Sequence, residues 1–243
     1  MGGDAGRGGG GADAVLLCLP DAPDVAEVLF GAGGALAAMR PGRVAIDFST
    51  IAATSARDHA ARAAAAGVAL LDAPVSGGPQ GAKDATLTIF VGGDGDALEQ
   101  VRPLLDAVGK TVTHFGPAGS GQVAKSCNQI ITSATIAAVA EALNLAARAG
   151  LDGEALRTAL LGGSARCAAL ENHAKRMLAR GFLPAGFRAE LMRKDLRAAE
   201  ATADAAGAAH PSATRLREAL DELVRSGRGT LDTTALLLLL EEA

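Results

Sequence analysis

The sequence predicts an α/β part followed by an all-α part, in which a mainly parallel sheet with crossover helices precedes a helical region. Two observations predict this fold class. Short apolar runs of strand length alternate with segments of helical spacing up to residue 118, and from Gly119 onward only helical patterns follow. We therefore predict a flexible glycine-rich tail at 1–12, an α/β domain at 13–118 and an all-helical domain at 119–243.

The elements of the α/β part are predicted from their apolar runs. AVLLCLP, which a proline ends, suits a buried strand, and APDVAEVLFGAGGALAAM has helical spacing with a glycine-rich interruption. RVAIDF is a second strand, TSARDHAARAAAAG a helix, VALLDAPV a third strand and TLTIFVGG a fourth. DALEQVRPLLDAVG then predicts a helix, and TVTHFG predicts a fifth short strand.

The all-α part begins with one long alanine-rich helix, predicted from Ser120 to Ala149. Its apolar spacing has the period of a helix, and no strand pattern returns after it. Four further helical stretches follow: LDGEALRTALLGG, CAALENHAKRMLARG, RAELMRKDLRAAEATADAAG and SATRLREALDELVRSG.

Composition excludes several classes of function. The 243 residues are 49% hydrophobic and carry a net charge of −4, which argues against a nucleic-acid or polybasic membrane partner. The three cysteines are far apart and form no CxxC pair, so we expect a cytoplasmic protein without a disulfide framework or metal site. No stretch looks long enough to cross a bilayer, because the run ALLLLL is far short of the ~20 residues required.

Three candidate loops follow predicted strands, at Leu19–Pro20, at Thr50 and at Ser76–Gly78. Ligands of open parallel sheets bind outside the carboxyl ends of the strands, which makes these loops candidates for a binding site. The Ser76 hydroxyl and the backbone amides of Gly77 and Gly78 could form an anion cradle suited to a carboxylate. An ordinary tight loop between strands explains the same residues equally well.

The stretch GPAGSGQVAKSCNQI starts the predicted long helix on Gly119 and Gly121. Free amides at a helix start carry partial positive charge, and glycines there would let a ligand come close. Lys125 and Asn128 share one face at i, i+3, and an ammonium in a desolvated site can act as a general acid or base. The commoner arrangement is a solvated lysine beside a surface asparagine.

A later charged pair, Lys194 and Asp195, lies in the predicted helix that contains RKDL. Charged residues of helices are mostly exposed, so the default expectation for both is the protein surface.

Taken together and in this order, LPDAPDV, IDFSTI, DAPVSGG, TLTIFVGG, GSGQVAKSCNQI and GFRAELMRKDL resemble the β-hydroxyacid dehydrogenase family. The family includes 3-hydroxyisobutyrate dehydrogenase, tartronate semialdehyde reductase and 6-phosphogluconate dehydrogenase. The resemblance runs from about residue 12 to the end. NQI, PAGFRAELMRKDL and GRGTLDTTALLLLLEE lean toward the tartronate semialdehyde reductases.

The resemblance implies a Rossmann-like sheet that binds NAD or NADP and a helical domain that forms a homodimer or homotetramer. It implies an oxidoreductase that interconverts a short β-hydroxy acid and its semialdehyde, with glycerate as the favoured product and 3-hydroxyisobutyrate chemistry as the other choice. Lys125 matches the catalytic lysine of the family. The implied substrate contacts are Ser76, Gly77, Gly78 and Asn128. The implied cofactor contacts are Leu19, Pro20, Thr50, Phe187, Lys194 and Asp195, with Asp24 as a weaker candidate.

The sequence departs from the family at its start, where no strand followed by G-x-G-x-x-G is present. We therefore expect a truncated Rossmann-like sheet that begins at the fourth strand of the family, which leaves NAD or NADP preference and the activity of this chain open. One hypothesis is an oxidoreductase that keeps its substrate and catalytic half. The other is a non-catalytic remnant that acts as an oligomerising helical module. The intact motif residues favour the first.

Overall fold

The computed structural model describes residues 12–242, so the predicted tail lies outside the described residues except for Ala12. The chain divides into two compact units. The first comprises residues up to 126 together with 201–207, and the second comprises 127–200 and 208 onward. The domain ranges 13–118 and 119–243 stay a prediction.

The first unit contains an entirely parallel sheet of three strands: β1 (Ala14–Leu17), β2 (Val44–Asp47) and β3 (Ala69–Asp72). The strands lie in the order β1-β2-β3. All four residues of β2 are buried, as expected for a central parallel strand that helices cover on both faces. The connecting helices are α1 (Ala22–Phe30), α2 (Ala35–Ala38) and α3 (Ala53–Ala65).

A second group of strands in this unit is β4 (Val75–Ser76), β5 (Leu87–Val91) and β6 (Gly109–His114). β4 pairs antiparallel with β5, and β5 pairs parallel with β6. The predicted third strand, VALLDAPV, is therefore two strands rather than one, and Pro74, which cannot donate a backbone hydrogen bond, lies between them. The helices here are α4 (Gly78–Lys83) and α5 (Gly95–Asp106).

The core of the first unit has a cluster on each side of β2. Ala45 packs with residues of α1 and α3, including Val25 and Leu29. Val44 and Ile46 pack in a different cluster that includes Leu98, Val101 and Leu105 of α5. The predicted combination of a mainly parallel Rossmann-like sheet and a helical part is confirmed.

The second unit is helical. Its helices are most of α6 (Ser120–Arg148), α7 (Gly153–Leu161), a π-helical turn (Ala169–His173), α8 (Ala174–Leu178), most of α9 (Ala189–Ala205), α10 (Pro211–Arg225), a 3₁₀ turn (Thr233–Ala235) and α11 (Leu236–Glu242). The run ALLLLL, for which no element was predicted, lies mainly in α11, where Leu236 and Leu237 are buried in two core clusters.

Residues 201–207 belong to the first unit through a contact at the start of α3. The preceding residue is Ala52, whose methyl side chain cannot cap this helix. The Thr202 hydroxyl accepts a hydrogen bond of 3.1 Å from the Ala53 amide instead. A distant segment thus satisfies an amide that a helix start leaves without an internal partner.

The expectation that no stretch could cross a membrane is wrong for α6. Judged by length and composition alone, its 29 residues could cross a membrane. Of its most apolar 18-residue stretch, 33% is buried. Core helices of soluble proteins meet the same criterion. The absence of a membrane partner stays a prediction.

His59 on α3 makes the stability of the first unit depend on pH. Its side chain is buried against the Phe30 ring, and its Nδ1 has no hydrogen-bond partner in the described part of the chain. Burial lowers the pKa of His59 below the ordinary 6.5, with the nearby Asp58 carboxylate opposing and Arg62 reinforcing the shift. The unfolded chain therefore takes up the proton more readily than the folded protein.

We expect the free energy of unfolding to fall as the pH drops through 6.5, because the unfolded state then binds the extra proton. His59→Phe should show a shallower loss between pH 7.5 and 5.5 in urea denaturation. Above pH 7.5 variant and wild type should change in parallel, since the imidazole is neutral in both states. Equal slopes below pH 7 would assign the pH dependence to other groups, among them His173, whose pKa burial also lowers.

Candidate active site

The long helix α6 begins on the carboxylate of Asp72, which ends β3. The amide of Gly119 donates to Asp72 Oδ1 at 2.7 Å, and the amide of Gln122 donates to Oδ2 at 2.9 Å. Asp72 is 4% exposed, and burial raises its pKa while these backbone hydrogen bonds oppose the rise. The prediction that a ligand would meet free amides at this helix start is wrong, because a carboxylate of the protein itself binds them.

The two glycines at the start of α6 are explained by the same contact. A Cβ on Gly121 would collide with the backbone oxygen of Phe90 and lie 2.7 Å from that of Asp72. Gly119 has a φ of +85°, and a Cβ there would lie 2.9 Å from the Ala53 oxygen. These glycines allow the helix to approach its own strand ends, and not a ligand as predicted.

Lys125 follows one turn after Gly121 and is buried, with 7% of its surface exposed. Its Nζ donates a hydrogen bond of 2.7 Å to the backbone oxygen of Val75. Because Val75 directly precedes Ser76, the ammonium lies at the start of the loop that was proposed as an anion cradle. The alternative of a solvated surface lysine is wrong.

The loop itself has a backbone that favours glycine. Gly77 and Gly78 have φ values of +136° and +62°, both in the region that side chains rarely adopt. Both glycines are exposed and Ser76 is half-buried, so a ligand could reach the loop from solvent. The role of the three residues in carboxylate binding stays a prediction.

The predicted cofactor contacts after β1 and β2 lie in adjacent loops, because these strands are parallel neighbours. The amide of Leu19 donates to the Ser49 hydroxyl at 2.8 Å, which ties the two loops together next to Pro20 and Thr50. The Ser49 amide in turn donates to the buried Asp47 at 2.9 Å.

Gln122 connects the loop after β2 to α6. It is fully buried, its Nε2 donates to the Ser49 backbone oxygen at 2.8 Å, and its Oε1 accepts from the Ile51 amide at 3.2 Å. Its backbone amide is already bound to Asp72. One residue therefore fixes the strand-end loop relative to the helix turn that precedes Lys125.

Asp24, the weaker cofactor candidate, has a structural role at the start of α1. Its carboxylate accepts from the Asp21 amide at 3.0 Å, and the Asp21 side chain accepts from the Asp24 amide. Together the two hydrogen bonds form a capping box. The structure thus explains the residue without a cofactor, and its assignment as a cofactor contact stays a prediction.

Three candidates of the second unit lie in one hydrogen-bonded network. Asn128 Nδ2 donates to Gln129 Oε1 at 2.8 Å, and Gln129 Nε2 donates to Asp195 Oδ2 at 2.5 Å. Asp195 Oδ1 lies 2.7 Å from the Lys194 ammonium. The expectation of an ordinary surface charge is wrong for Asp195, which is 4% exposed. Lys194 is half-buried, with its ammonium on that carboxylate.

Phe187, the remaining candidate, is held by Asp232. The amides of Gly186 and Phe187 donate to Asp232 Oδ2 at 2.8 and 3.1 Å, and the Thr234 hydroxyl donates to Oδ1 at 2.7 Å. Burial alone would raise the pKa of Asp232, but these hydrogen bonds outweigh it, so the pKa lies below the usual range. Asp232 therefore stays ionised and fixes the backbone at Phe187.

The sequence reasoning missed the residues that hold the candidates in place: Asp47, Ser49, Asp72, Gln122, Gln129 and Asp232. Two of them had a readable signal, because Gln122 and Gln129 lie three residues before and four after Lys125 and share its face. Within 12–242, no cluster of His, Cys, Asp and Glu could hold a metal ion.

Two family models match the sequence. The model for the NAD-binding domain of 6-phosphogluconate dehydrogenase matches residues 8–116. The model described as NAD-binding of NADP-dependent 3-hydroxyisobutyrate dehydrogenase matches residues 119–240.

Among curated relatives, 2-hydroxy-3-oxopropionate reductase of Escherichia coli is 41% identical over 94% of this chain and 78% of the relative. The chain belongs to the β-hydroxyacid dehydrogenase family. NAD-dependent L-serine dehydrogenase of Pseudomonas aeruginosa is also 41% identical, over 83% of this chain and 70% of the relative.

A solved structure of Mycobacterium tuberculosis 3-hydroxyisobutyrate dehydrogenase with L-serine matches at a TM-score of 0.87 and 34% identity. It covers 97% of this chain and 81% of the other. β-Hydroxyacid dehydrogenases are NAD(P)-dependent oxidoreductases, and the predicted cofactor, NAD or NADP, agrees with these matches.

Among the described residues, the loops after β1 and β2 are suited to contact one side of such a cofactor. The loops after β1 and β2 lie at the carboxyl ends of parallel strands, where doubly wound sheets bind dinucleotides. The bond from Leu19 to Ser49 holds these loops together without any ligand.

Asp72→Asn tests how far the helix start depends on the carboxylate. Asparagine offers one oxygen, so its NH₂ group must face one of the two amides now bound at Gly119 and Gln122. We expect a loss of about 1–3 kcal/mol in the free energy of unfolding, measured by urea denaturation. Asp94→Asn is the matched control, because Asp94 caps α5 through one oxygen that accepts from Ala97, and asparagine caps helices nearly as well. Equal losses in both variants would contradict a special role for Asp72.

Proposed function

We propose that this protein reduces a short semialdehyde to the corresponding β-hydroxy acid, with tartronate semialdehyde as substrate and glycerate as product. The observation that carries the proposal is the bond from Lys125 Nζ to the Val75 oxygen, which holds a buried ammonium beside Ser76. The relative from Escherichia coli and the sequence motifs favour this substrate over 3-hydroxyisobutyrate.

The proposed division of roles follows from the chemistry of each group. Ser76 and the amides of Gly77 and Gly78 bind the substrate carboxylate, because amide and hydroxyl donors complement an anion. Lys125 faces the carbonyl oxygen, stabilises the negative charge that grows there and donates the proton that completes the alcohol. In the reverse direction neutral Lys125 accepts the hydroxyl proton.

A bound nicotinamide cofactor supplies the hydride for this reduction. In the proposal, Leu19, Pro20 and Thr50 contact it from the loops after β1 and β2. Asn128, Phe187, Lys194 and Asp195 keep the substrate and cofactor roles that the resemblance assigns to them.

Localisation in the cytoplasm is part of the proposal. The curated relatives cited above are named as a reductase and a dehydrogenase of small hydroxy or oxo acids, and α6 buries Gln122, Lys125 and Gln129. Ionic and amide groups are expensive within a bilayer unless they are satisfied in the protein interior, which favours a core helix over a spanning one.

We also propose that the protein is a homo-oligomer, held together through a second copy of α6. Ile131 and Leu145 are 64% and 70% exposed, and they lie seven residues on either side of the exposed Ala138. Ala134 and Ala142 lie between them on the same face. This face is symmetric about Ala138, so two antiparallel copies crossing there would place Ile131 of one against Leu145 of the other.

Lys125→Ala tests the catalytic assignment. We expect kcat with NADH or NADPH and tartronate semialdehyde to fall about 10²–10⁴-fold, because the ammonium acts mainly when the oxygen becomes negative. KM should change little. Ser76→Ala should instead mainly raise KM, since it removes a carboxylate donor.

Lys110→Ala, which removes an exposed lysine of β6, is the matched control and should keep wild-type kinetics. Near-normal kcat in Lys125→Ala would refute the assignment. A wild-type protein that turns over neither tartronate semialdehyde nor 3-hydroxyisobutyrate, at any cofactor concentration, would refute the proposed activity itself.

Light scattering tests the assembly. We expect the wild type to have a mass of at least two chains, and Ile131→Glu to shift it toward one, because a carboxylate cannot be buried unpaired at the helix crossing. Leu151→Glu is the control, since Leu151 is 58% exposed but lies outside α6. A wild-type monomer at all concentrations, or equal dissociation by both substitutions, would contradict the proposed interface.

A further inference from the structure

Gln129 joins a substrate candidate, Asn128, to the ion pair of Asp195 and Lys194. The residue is 4% exposed and uses both ends of its amide, accepting from Asn128 and donating to Asp195. Asp195 is in turn paired with the Lys194 ammonium at 2.7 Å. The four side chains form a continuous line of hydrogen bonds and one salt bridge within the second unit.

The chemistry of this line fixes the direction of each amide. An ionised carboxylate only accepts hydrogen bonds, so Asp195 must meet the NH₂ end of Gln129. The oxygen of Gln129 therefore faces Asn128, which must donate with its own NH₂. Acceptance of a hydrogen bond by Asp195 therefore fixes which end of each side-chain amide, in Gln129 and in Asn128, is the NH₂ group and which is the oxygen.

The bond between Asn128 and Gln129 also restrains the asparagine. Adjacent side chains on a helix point in different directions and do not normally meet. A hydrogen bond of 2.8 Å between them therefore holds Asn128 in a particular rotamer, with its Oδ1 directed away from Gln129.

We propose that Gln129 is a positioning residue that makes Asn128 present its carbonyl oxygen, as a hydrogen-bond acceptor, to the hydroxyl group of the substrate. The proposal rests on the proposed function for the role of Asn128. A hydroxyl can donate to such an oxygen and an ionised carboxylate cannot, so the arrangement favours binding of the alcohol end of a β-hydroxy acid at Asn128.

Two substitutions at Gln129 separate positioning from packing. Gln129→Met keeps the volume and removes both hydrogen bonds. Gln129→Glu retains both only when it is protonated, because its hydroxyl can then donate to Asp195 while its carbonyl accepts from Asn128. The ionised form can still accept from Asn128, but it cannot donate to Asp195 and is repelled by it. Burial and the Asp195 carboxylate both raise the pKa of the introduced acid. Lys194, which is bound to Asp195, and Lys125, one turn earlier on the same face of α6, are positive charges that oppose this rise.

The first measurement is the dissociation constant of glycerate by calorimetry at pH 5.5 and pH 8. We expect Gln129→Glu to bind like the wild type at pH 5.5 and about tenfold more weakly at pH 8, where repulsion from the Asp195 carboxylate would move the ionised side chain out of reach of Asn128. Gln129→Met should be about tenfold weaker at both values. In an Asn128→Ala background, Gln129→Met should cause no further loss, because the residue it positions is gone.

The second measurement needs no substrate. In nuclear magnetic resonance spectra, the side-chain amide protons of Asn128 should be protected from exchange in the wild type and lose that protection in Gln129→Met. Gln129→Glu should regain it as the pH falls. Gln100→Glu, which places the same change on an exposed glutamine of α5, should show no pH effect in either measurement.

Unchanged protection of Asn128 in Gln129→Met would overturn the proposal. So would additive losses of glycerate affinity in the double variant. A wild type that protects Asn128 but does not bind glycerate would count against the proposed substrate and leave the positioning role supported.

Discussion

The bond between Asp72 and the start of α6 is the constraint on which the candidate site depends. A carboxylate that is 4% exposed is costly to bury, and it is retained here because two backbone amides that also need partners bind it directly. Asp72 ends β3, and α6 carries Lys125 one turn later. The position of the ammonium at the Ser76 loop is thus fixed from both sides, through β3 and through the helix.

The second unit uses buried aspartates in a related way. Asp232 binds two amides and a threonine hydroxyl around Phe187, and Asp195 binds Gln129 and Lys194. In each case an acceptor-only group imposes a direction on its donors, so the donors cannot turn over. Candidate residues are therefore oriented before any ligand arrives, which lowers the entropic cost of binding.

The sequence was enough to predict most elements and the candidate residues, because apolar periodicity and local motifs are visible within short windows. It could not show that VALLDAPV divides into two strands, or that Gly121 is required by Phe90, since these depend on contacts between distant segments. Asp72 was quoted within a motif, yet its partner lies 47 residues away at Gly119. Residues that act through such partners have no local signature. The local pattern around Lys125 favoured a solvated lysine, and only the order of the family motifs along the chain made it a catalytic candidate.

Helix α6 has the length and composition of a membrane span, which the expectation based on the short run ALLLLL did not consider. Its polar residues Gln122, Lys125, Gln129 and Ser133 are buried, while Ile131 and Leu145 are exposed. The same helix also buries Ile136, Val139 and Leu143, so polar and apolar side chains share its inner face, whereas in the usual amphipathic helix polar residues face water. A helix of this kind is apolar enough to resemble a membrane span and still belongs in a protein core, because its inner face holds groups that need polar partners. Its outer face carries Ile131 and Leu145, the two residues on which the proposed contact with a second copy rests.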